Sequence, residues 1–161
     1  MYGDITKADA YFSNTFPSWS GLTGDAKTTA LVNASMILDA VYALRFPGYK
    51  TGGLSQIRQW PRSNARTSSG EMIPPDLIPP AVEIATFEIA KQELIRPGKI
   101  LPVAFNAQQI KRQKLEGLER EFFKNQSMRS TDNLPHLPII EGILIELLGD
   151  MQGMFPIFWV R

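Results

Sequence analysis

The sequence contains no cysteine and only one histidine, His136, among its 161 residues. The lack of cysteine excludes disulfide bonds, thiolate catalysis and cysteine-ligated zinc. A single histidine cannot build a multi-histidine metal site. His136 lies in the turn sequence LPHLP, where no acidic or nucleophilic neighbour favours catalysis. We therefore expect neither a metal ion nor another cofactor.

Long apolar runs are also missing, and no stretch approaches the 18 consecutive apolar residues that indicate a membrane-spanning helix. The amino-terminal sequence MYGDITKADAYF lacks the apolar core of a signal peptide. We therefore expect a protein of a cytosol-like compartment that has no membrane contact. Apolar residues make up 43% of the chain and charged residues 20%, which is typical of a folded globular protein.

Enzyme signatures are absent from the sequence as well. The stretch GLTGDAKTT resembles a phosphate-binding loop only superficially, because Lys27 does not directly follow a glycine and no buried strand precedes it. Glu116, Glu119 and Glu121 share a segment with basic residues, which indicates solvated charges rather than an acid–base pair. No serine lies in a nucleophile-elbow context. We therefore expect that the protein is not an enzyme.

The formal net charge is only +1, so the overall charge does not predict nucleic-acid binding. Basic residues are nevertheless concentrated in two segments without acidic residues, 45–66 and 96–114. Two interpretations remain open: solvated loops, or surfaces that face a phosphate backbone or an acidic partner. The candidate contacts to a DNA channel or an acidic partner are Arg58, Arg66, Lys111, Arg112 and Lys114.

Apolar residues at spacings of three and four predict helices, so the expected fold is mainly α, a small helical bundle. The predicted helices are 6–14 with Thr6 as N-cap, 25–44 with Asp25 as N-cap, 79–96 and 139–148. The third of them begins at the Pro79-Pro80 pair and ends before Pro97-Gly98. The third helix is apolar on several sides. A helix of this kind must be covered on most sides, and we expect another subunit to supply part of that cover.

The segment 46–78 is rich in Gly, Ser, Pro and Arg and predicts a long loop. Loops of this length are uncommon in compact domains and are usually functional or disordered. Because it contains Trp60-Pro61-Arg62, we expect the loop to be ordered by a contact. Trp60 would fill a pocket either of its own domain or of an adjacent subunit, with Arg62 reaching a carboxylate or carbonyl across that contact. These three residues are therefore candidates for a subunit or partner interface.

The last third of the chain contains two further features. The segment 109–123 predicts a short hairpin or an extended arm, because Gly117 interrupts it and apolar and charged residues nearly alternate. Residues 1–150 would form one domain, followed by an extended apolar tail, 151–161. Such a tail needs cover, either by folding back onto its own core or by docking on another chain. We favour docking, and the proposed interface residues are Phe155, Phe158, Trp159 and Arg161.

A series of residues in the first 95 positions carries a resemblance to a known family. The series is Ala8-Asp9-Ala10-Tyr11-Phe12, Trp19, Ala30-Leu31, Ala34, Asp39, Gln56, Trp60-Pro61-Arg62, Ile78-Pro79, Val82, Ala85 and Ala90. It resembles a family of tailed-bacteriophage proteins whose profiles sometimes bear the label "DnaT-like single-stranded-DNA-binding". Many of these proteins are similar to head-to-tail adaptors, also called head-tail connectors. The resemblance covers residues 2–95 well and departs at Arg58, where the family usually has an apolar residue.

The resemblance implies a small helical protein that assembles as a ring, typically of twelve subunits, beneath the portal protein of the capsid. Such a ring extends the channel for double-stranded DNA and docks the next tail or neck protein, so its expected place is the head-tail junction of the virion. The competing hypothesis is a replication accessory protein that binds single-stranded DNA. Proteins of that class need aromatic side chains interleaved with basic residues. Only Trp60 among the three tryptophans has basic neighbours of that kind, so the sequence favours the adaptor.

Overall fold

A computed structural model describes residues 1–100 and 137–149, together with the backbone of residues 113–115 and 118–120. These residues contain four α-helices: α1 (Ile5–Phe12), α2 (Gly24–Tyr42), α3 (Pro80–Ile95) and α4 (Pro138–Leu144). Single 3-10 turns lie at Pro17–Trp19 and Gly53–Ser55. The fold is mainly α, which confirms the predicted class. No helix in the described part of the chain is long and apolar enough to cross a membrane.

Both predicted N-caps are wrong by two residues. Asp4 has an extended backbone and accepts a hydrogen bond from Lys7 N at 2.8 Å, so α1 begins before Thr6. Thr23 accepts from Ala26 N at 3.3 Å and caps α2 in place of Asp25. At each helix start two residues that can cap stand two positions apart, and the first of them takes the cap position.

Helix α3 lies at the centre of the domain, and the same chain covers it. It packs against α2 and α4, and the Phe87 ring contacts the rings of Tyr11 and Phe12 from α1 at 5.5 and 6.1 Å. The buried α3 side chains are Val82, Ala85, Thr86, Phe87, Glu88, Ile89 and Ala90. The buried sides of α3 are therefore covered by the same chain, and the expectation that another subunit supplies part of the remaining cover stays a prediction.

Two short antiparallel hairpins complete the described structure. Strand β1 (Tyr49–Lys50) pairs with β2 (Arg62–Ser63), and β3 (Gln113–Leu115) pairs with β4 (Leu118–Arg120). The second pair is the first of the two alternatives predicted for 109–123, a short hairpin rather than an extended arm. Helix α4 is shorter than predicted, because a turn closed by Leu147 N and Leu144 O at 2.7 Å follows it. The tail, with Phe155, Phe158, Trp159 and Arg161, lies outside the described residues.

Candidate functional site

The loop of residues 46–78 has a defined path, because hydrogen bonds join neighbouring segments of it at two places. Thr51 N donates to Pro61 O at 3.3 Å, and Ile73 N donates to Ala65 O at 2.9 Å. Gly48 has a φ of 68°, and a Cβ there would lie 2.3 Å from Ser63 O. The arms can approach this closely only because position 48 has no side chain.

Trp60 fills a pocket of its own domain, which is the first of the two predicted alternatives. Its side chain is 1% exposed and packs edge-on against Phe46 with ring centroids 5.6 Å apart. Trp60 N donates to the hydroxyl of Tyr2 at 3.0 Å, and a cis peptide bond joins Trp60 to Pro61. The indole Nε1 is buried and has no hydrogen-bond partner among the described residues. In this structure Trp60 offers no surface to another subunit.

Arg62 joins the two arms of the loop through carbonyl groups of its own chain. Its guanidinium donates to Pro47 O at 2.6 Å, to Gly48 O at 2.7 Å and to the side-chain oxygen of Gln59 at 3.0 Å. Burial lowers the pKa of this side chain from its usual value. The predicted carbonyl acceptors are present, but they lie within the chain, so Arg62 stabilises the loop here.

Arg58 also points inward, toward a polar cluster that the sequence did not reveal. Its Nη1 lies 3.4 Å from Asp39 Oδ2, and the Tyr2 hydroxyl donates to Asp39 Oδ1 at 2.5 Å. Tyr2 N donates to Ser35 Oγ at 2.9 Å. Burial raises the pKa of Asp39, although the hydrogen bond from Tyr2 and the charge of Arg58 act in the opposite direction. Burial and the bond to Asp39 also raise the pKa of Tyr2.

A signal for this cluster was nevertheless present in the sequence of α2. Ser35 and Asp39 are four residues apart and flank the apolar stripe that includes Leu31 and Leu38. Polar groups at the edge of a buried stripe need partners from elsewhere in the fold. The partner, Tyr2, could not be identified from the sequence because 33 to 37 residues separate it from these groups.

Of the five predicted basic contacts, the structure describes the side chains of Arg58 and Arg66. Arg66 is exposed and donates to Gly70 O at 2.9 Å, whereas Arg58 is partly buried. Lys114 lies in β3, where only the backbone is described. Lys111 and Arg112 lie outside the described residues.

The loop instead presents two apolar side chains, Leu54 and Ile57, that the sequence did not single out. Leu54 is fully exposed and Ile57 is 90% exposed. The backbone between them is fixed, because Gln56 donates to Arg58 O at 2.8 Å and accepts from Gly52 N at 2.8 Å. Lys50 Nζ also donates to Gln56 O at 2.7 Å. We call the pair Leu54 and Ile57 the loop tip.

These features define a small, mainly α domain with an internally closed loop and an exposed apolar tip. Across residues 1–161 the chain matches the family model described as "Putative DnaT-like ssDNA binding protein", and it belongs to that family. No curated protein and no solved structure matches the chain. The described residues contain no group of three or more His, Cys, Asp or Glu side chains that could hold a metal ion.

Proposed function

We propose that this protein is a non-enzymatic structural adaptor of a tailed-phage virion. It would form a homo-oligomeric ring, of twelve subunits as the resemblance implies, beneath the portal protein. The ring would extend the channel for double-stranded DNA and dock the next tail or neck protein. The observation that carries this proposal is the loop tip, in which Leu54 and Ile57 are exposed on a rigid backbone.

An exposed apolar pair on an ordered loop favours a contact with protein. Removing apolar surface from water is worth roughly 25 cal/mol per Å², and a rigid loop loses little conformational entropy when it binds. The tip therefore replaces Trp60, Pro61 and Arg62 as the proposed interface of this loop. The tail residues Phe155, Phe158, Trp159 and Arg161 remain part of the proposed interface with the portal protein or the next subunit.

The family description favours a second candidate function, binding of single-stranded DNA. That function needs exposed aromatic rings on which bases stack, beside basic side chains that follow the backbone. Trp19 and Trp60 are buried, and Tyr49 is the exposed ring among the described aromatic residues. Arg58 and Arg62 form their contacts inside the domain. The described loop thus supports the adaptor better than the DNA-binding protein.

The test is the location of the protein in purified phage particles. We expect the wild-type chain at the junction between capsid and tail, detected by a specific antibody in electron microscopy. The double variant Leu54→Asp/Ile57→Asp should fold, because both side chains are exposed, but it should be missing from particles. The matched control is Met36→Asp, at an exposed position of α2, which should be incorporated normally.

Two results would contradict the adaptor. One is the absence of the wild-type protein from purified particles that carry complete tails. The other is incorporation of the double variant as efficiently as the Met36→Asp control, which would remove the loop tip from the interface.

A further inference from the structure

A second apolar surface lies far from the loop in sequence, between the end of α3 and the start of α4. It is a groove with a cavity of about 280 Å³. Its floor consists of the buried side chains of Ile89, Ile100 and Ile140, and the exposed Ile139 forms part of its wall. An apolar cavity of about 150 Å³ holds a benzene molecule, so this groove has room for about two aliphatic side chains.

The rim of this groove is basic. Arg96 and Lys99 line it and are exposed, and within the described residues neither has an acidic partner. The acidic residue of the lining, Glu88, is already engaged, since Lys91 Nζ lies 2.8 Å from its Oε2 and the Tyr11 hydroxyl donates to its Oε1. Positive charge is therefore left at the rim above an apolar floor.

The wall that carries this charge is held in place. The carboxylate of Glu93 accepts hydrogen bonds from Gly98 N at 2.9 Å and from Ile100 N at 3.4 Å. Gly98 has a φ of 71°, which favours glycine and turns the chain back after α3. A preformed wall lowers the ordering cost of binding.

We propose that the α3–α4 groove is a docking site for an acidic amphipathic segment of a partner protein. Two aliphatic side chains spaced by three or four residues would occupy the floor, and carboxylates beside them would pair with Arg96 and Lys99. The aliphatic floor offers no ring for base stacking, which favours a peptide over a nucleic acid. This site does not depend on the loop tip, so it would serve an adaptor or a replication protein equally.

The test uses the full chain and fluorescein-labelled peptides of about twelve residues. The first peptide carries two leucines four residues apart with flanking glutamates; one matched peptide has lysines for the glutamates, and the other has serines for the leucines. Fluorescence anisotropy should show that the first peptide binds at least about tenfold more tightly than either control at low salt. Added salt should weaken this binding, because the rim charges are exposed.

Variants then assign the binding to the groove. Arg96→Glu/Lys99→Glu and, separately, Ile139→Glu should each weaken binding of the first peptide about tenfold or more. Ile139 is exposed, so its replacement should leave the fold intact. The control Leu44→Glu changes an exposed aliphatic residue outside both the groove and the loop tip and should bind as the wild type does.

Several results would overturn the proposal. They are equal binding of the acidic and basic peptides, no binding of the acidic peptide, or binding that the groove variants leave unchanged. Displacement of the peptide by single-stranded oligothymidine would assign the groove to a nucleic acid. Tighter binding of a peptide with residues 150–161 of this chain would assign it to the chain's own apolar tail.

Discussion

At position 60 an indole ring fills the space beside Phe46, yet its Nε1 donates to no acceptor in the described part of the chain. Replacing Trp60 with alanine removes the ring and leaves a cavity, so the free energy of unfolding should fall by about 3–5 kcal/mol. Trp60→Phe loses part of the volume but no hydrogen bond, so its effect should be less than half as large. Urea denaturation checks both values, and a loss below about 1 kcal/mol for Trp60→Ala would contradict the buried position.

Position 62 requires the planar fork of arginine. A lysine ammonium cannot reach the carbonyls of Pro47 and Gly48 and the side chain of Gln59 together, so buried acceptors would lose their donors. Arg62→Lys should lower the free energy of unfolding by about 1–3 kcal/mol. The control is Arg66→Lys, at an exposed position, which should change stability by about 0.5 kcal/mol or less. Equal effects of the two changes would contradict the role of Arg62 in the loop.

Asp39 gives the fold a specific dependence on pH. Burial raises the pKa of Asp39 above its unfolded value of about 3.9. At a pH between these two pKa values, Asp39 is protonated in the folded chain and ionised in the unfolded chain. Its contribution to stability is therefore fully present below about pH 3.9 and is lost as pH rises through the folded pKa. The free energy of unfolding of the wild type, relative to Asp39→Asn, should increase as pH falls from 7 to 4. A decrease would show that the charge of Arg58 outweighs burial.

Among the elements, the 46–78 loop depends most directly on the close approach of its arms. Gly48→Ala would place a methyl group 2.3 Å from Ser63 O, in addition to the strain of a positive φ. Gly98 has a similar φ of 71°, but no described atom lies within 4 Å of a Cβ placed there, so Gly98→Ala isolates the strain. We expect a loss of about 1 kcal/mol for Gly98→Ala and at least about 2 kcal/mol more for Gly48→Ala. Thermal denaturation of both variants tests this, and equal losses would contradict the close approach.

Local sequence signals predicted the elements well where they were unambiguous. The prolines at 79 and 80 and the Pro97-Gly98 pair mark both ends of α3, and the hairpin within 109–123 followed from Gly117 and alternation. The first residues of α1 and α2 were harder to predict, because neighbouring residues compete for the N-cap position. The sequence did not decide whether Trp60 fills a pocket of its own domain or of an adjacent subunit. A pattern of residues does not tell which chain surrounds a buried ring.

The candidate site was less predictable than the fold for a related reason. Tyr2 and Asp39 lie 37 residues apart, and only the packing of the amino terminus on α2 brings them together. The charge of Arg58 suggested an external contact, whereas the fold directs it to Asp39. The exposure of Leu54 and Ile57 depends on the path of the loop, which Gln56 fixes through its own hydrogen bonds.

At the scale of the whole molecule, the net charge of +1 and the internal contacts of Arg58 and Arg62 lead us to expect little attraction for nucleic acid. We expect the free protein to bind single-stranded oligothymidine with a Kd of about 10⁻⁴ M or weaker at physiological salt. Fluorescence anisotropy with a labelled oligonucleotide measures this directly, and a titration with salt gives the number of phosphate contacts. A micromolar or tighter Kd with a steep salt dependence would favour the DNA-binding protein over the adaptor.

The different surroundings of the two described indole rings also make the molecule its own optical probe. Trp19 donates to Asp9 Oδ1 at 2.6 Å and has a lysine ammonium 5.7 Å from its ring, whereas the buried Nε1 of Trp60 has no partner within residues 1–100 and 137–149. The excited state of an indole is stabilised by nearby dipoles and charges, so we expect the two rings to emit at different wavelengths. With Trp159 replaced by phenylalanine, the bluer part of the emission belongs to Trp60. Opening of the loop can then be followed separately from unfolding of the helices, without an added label.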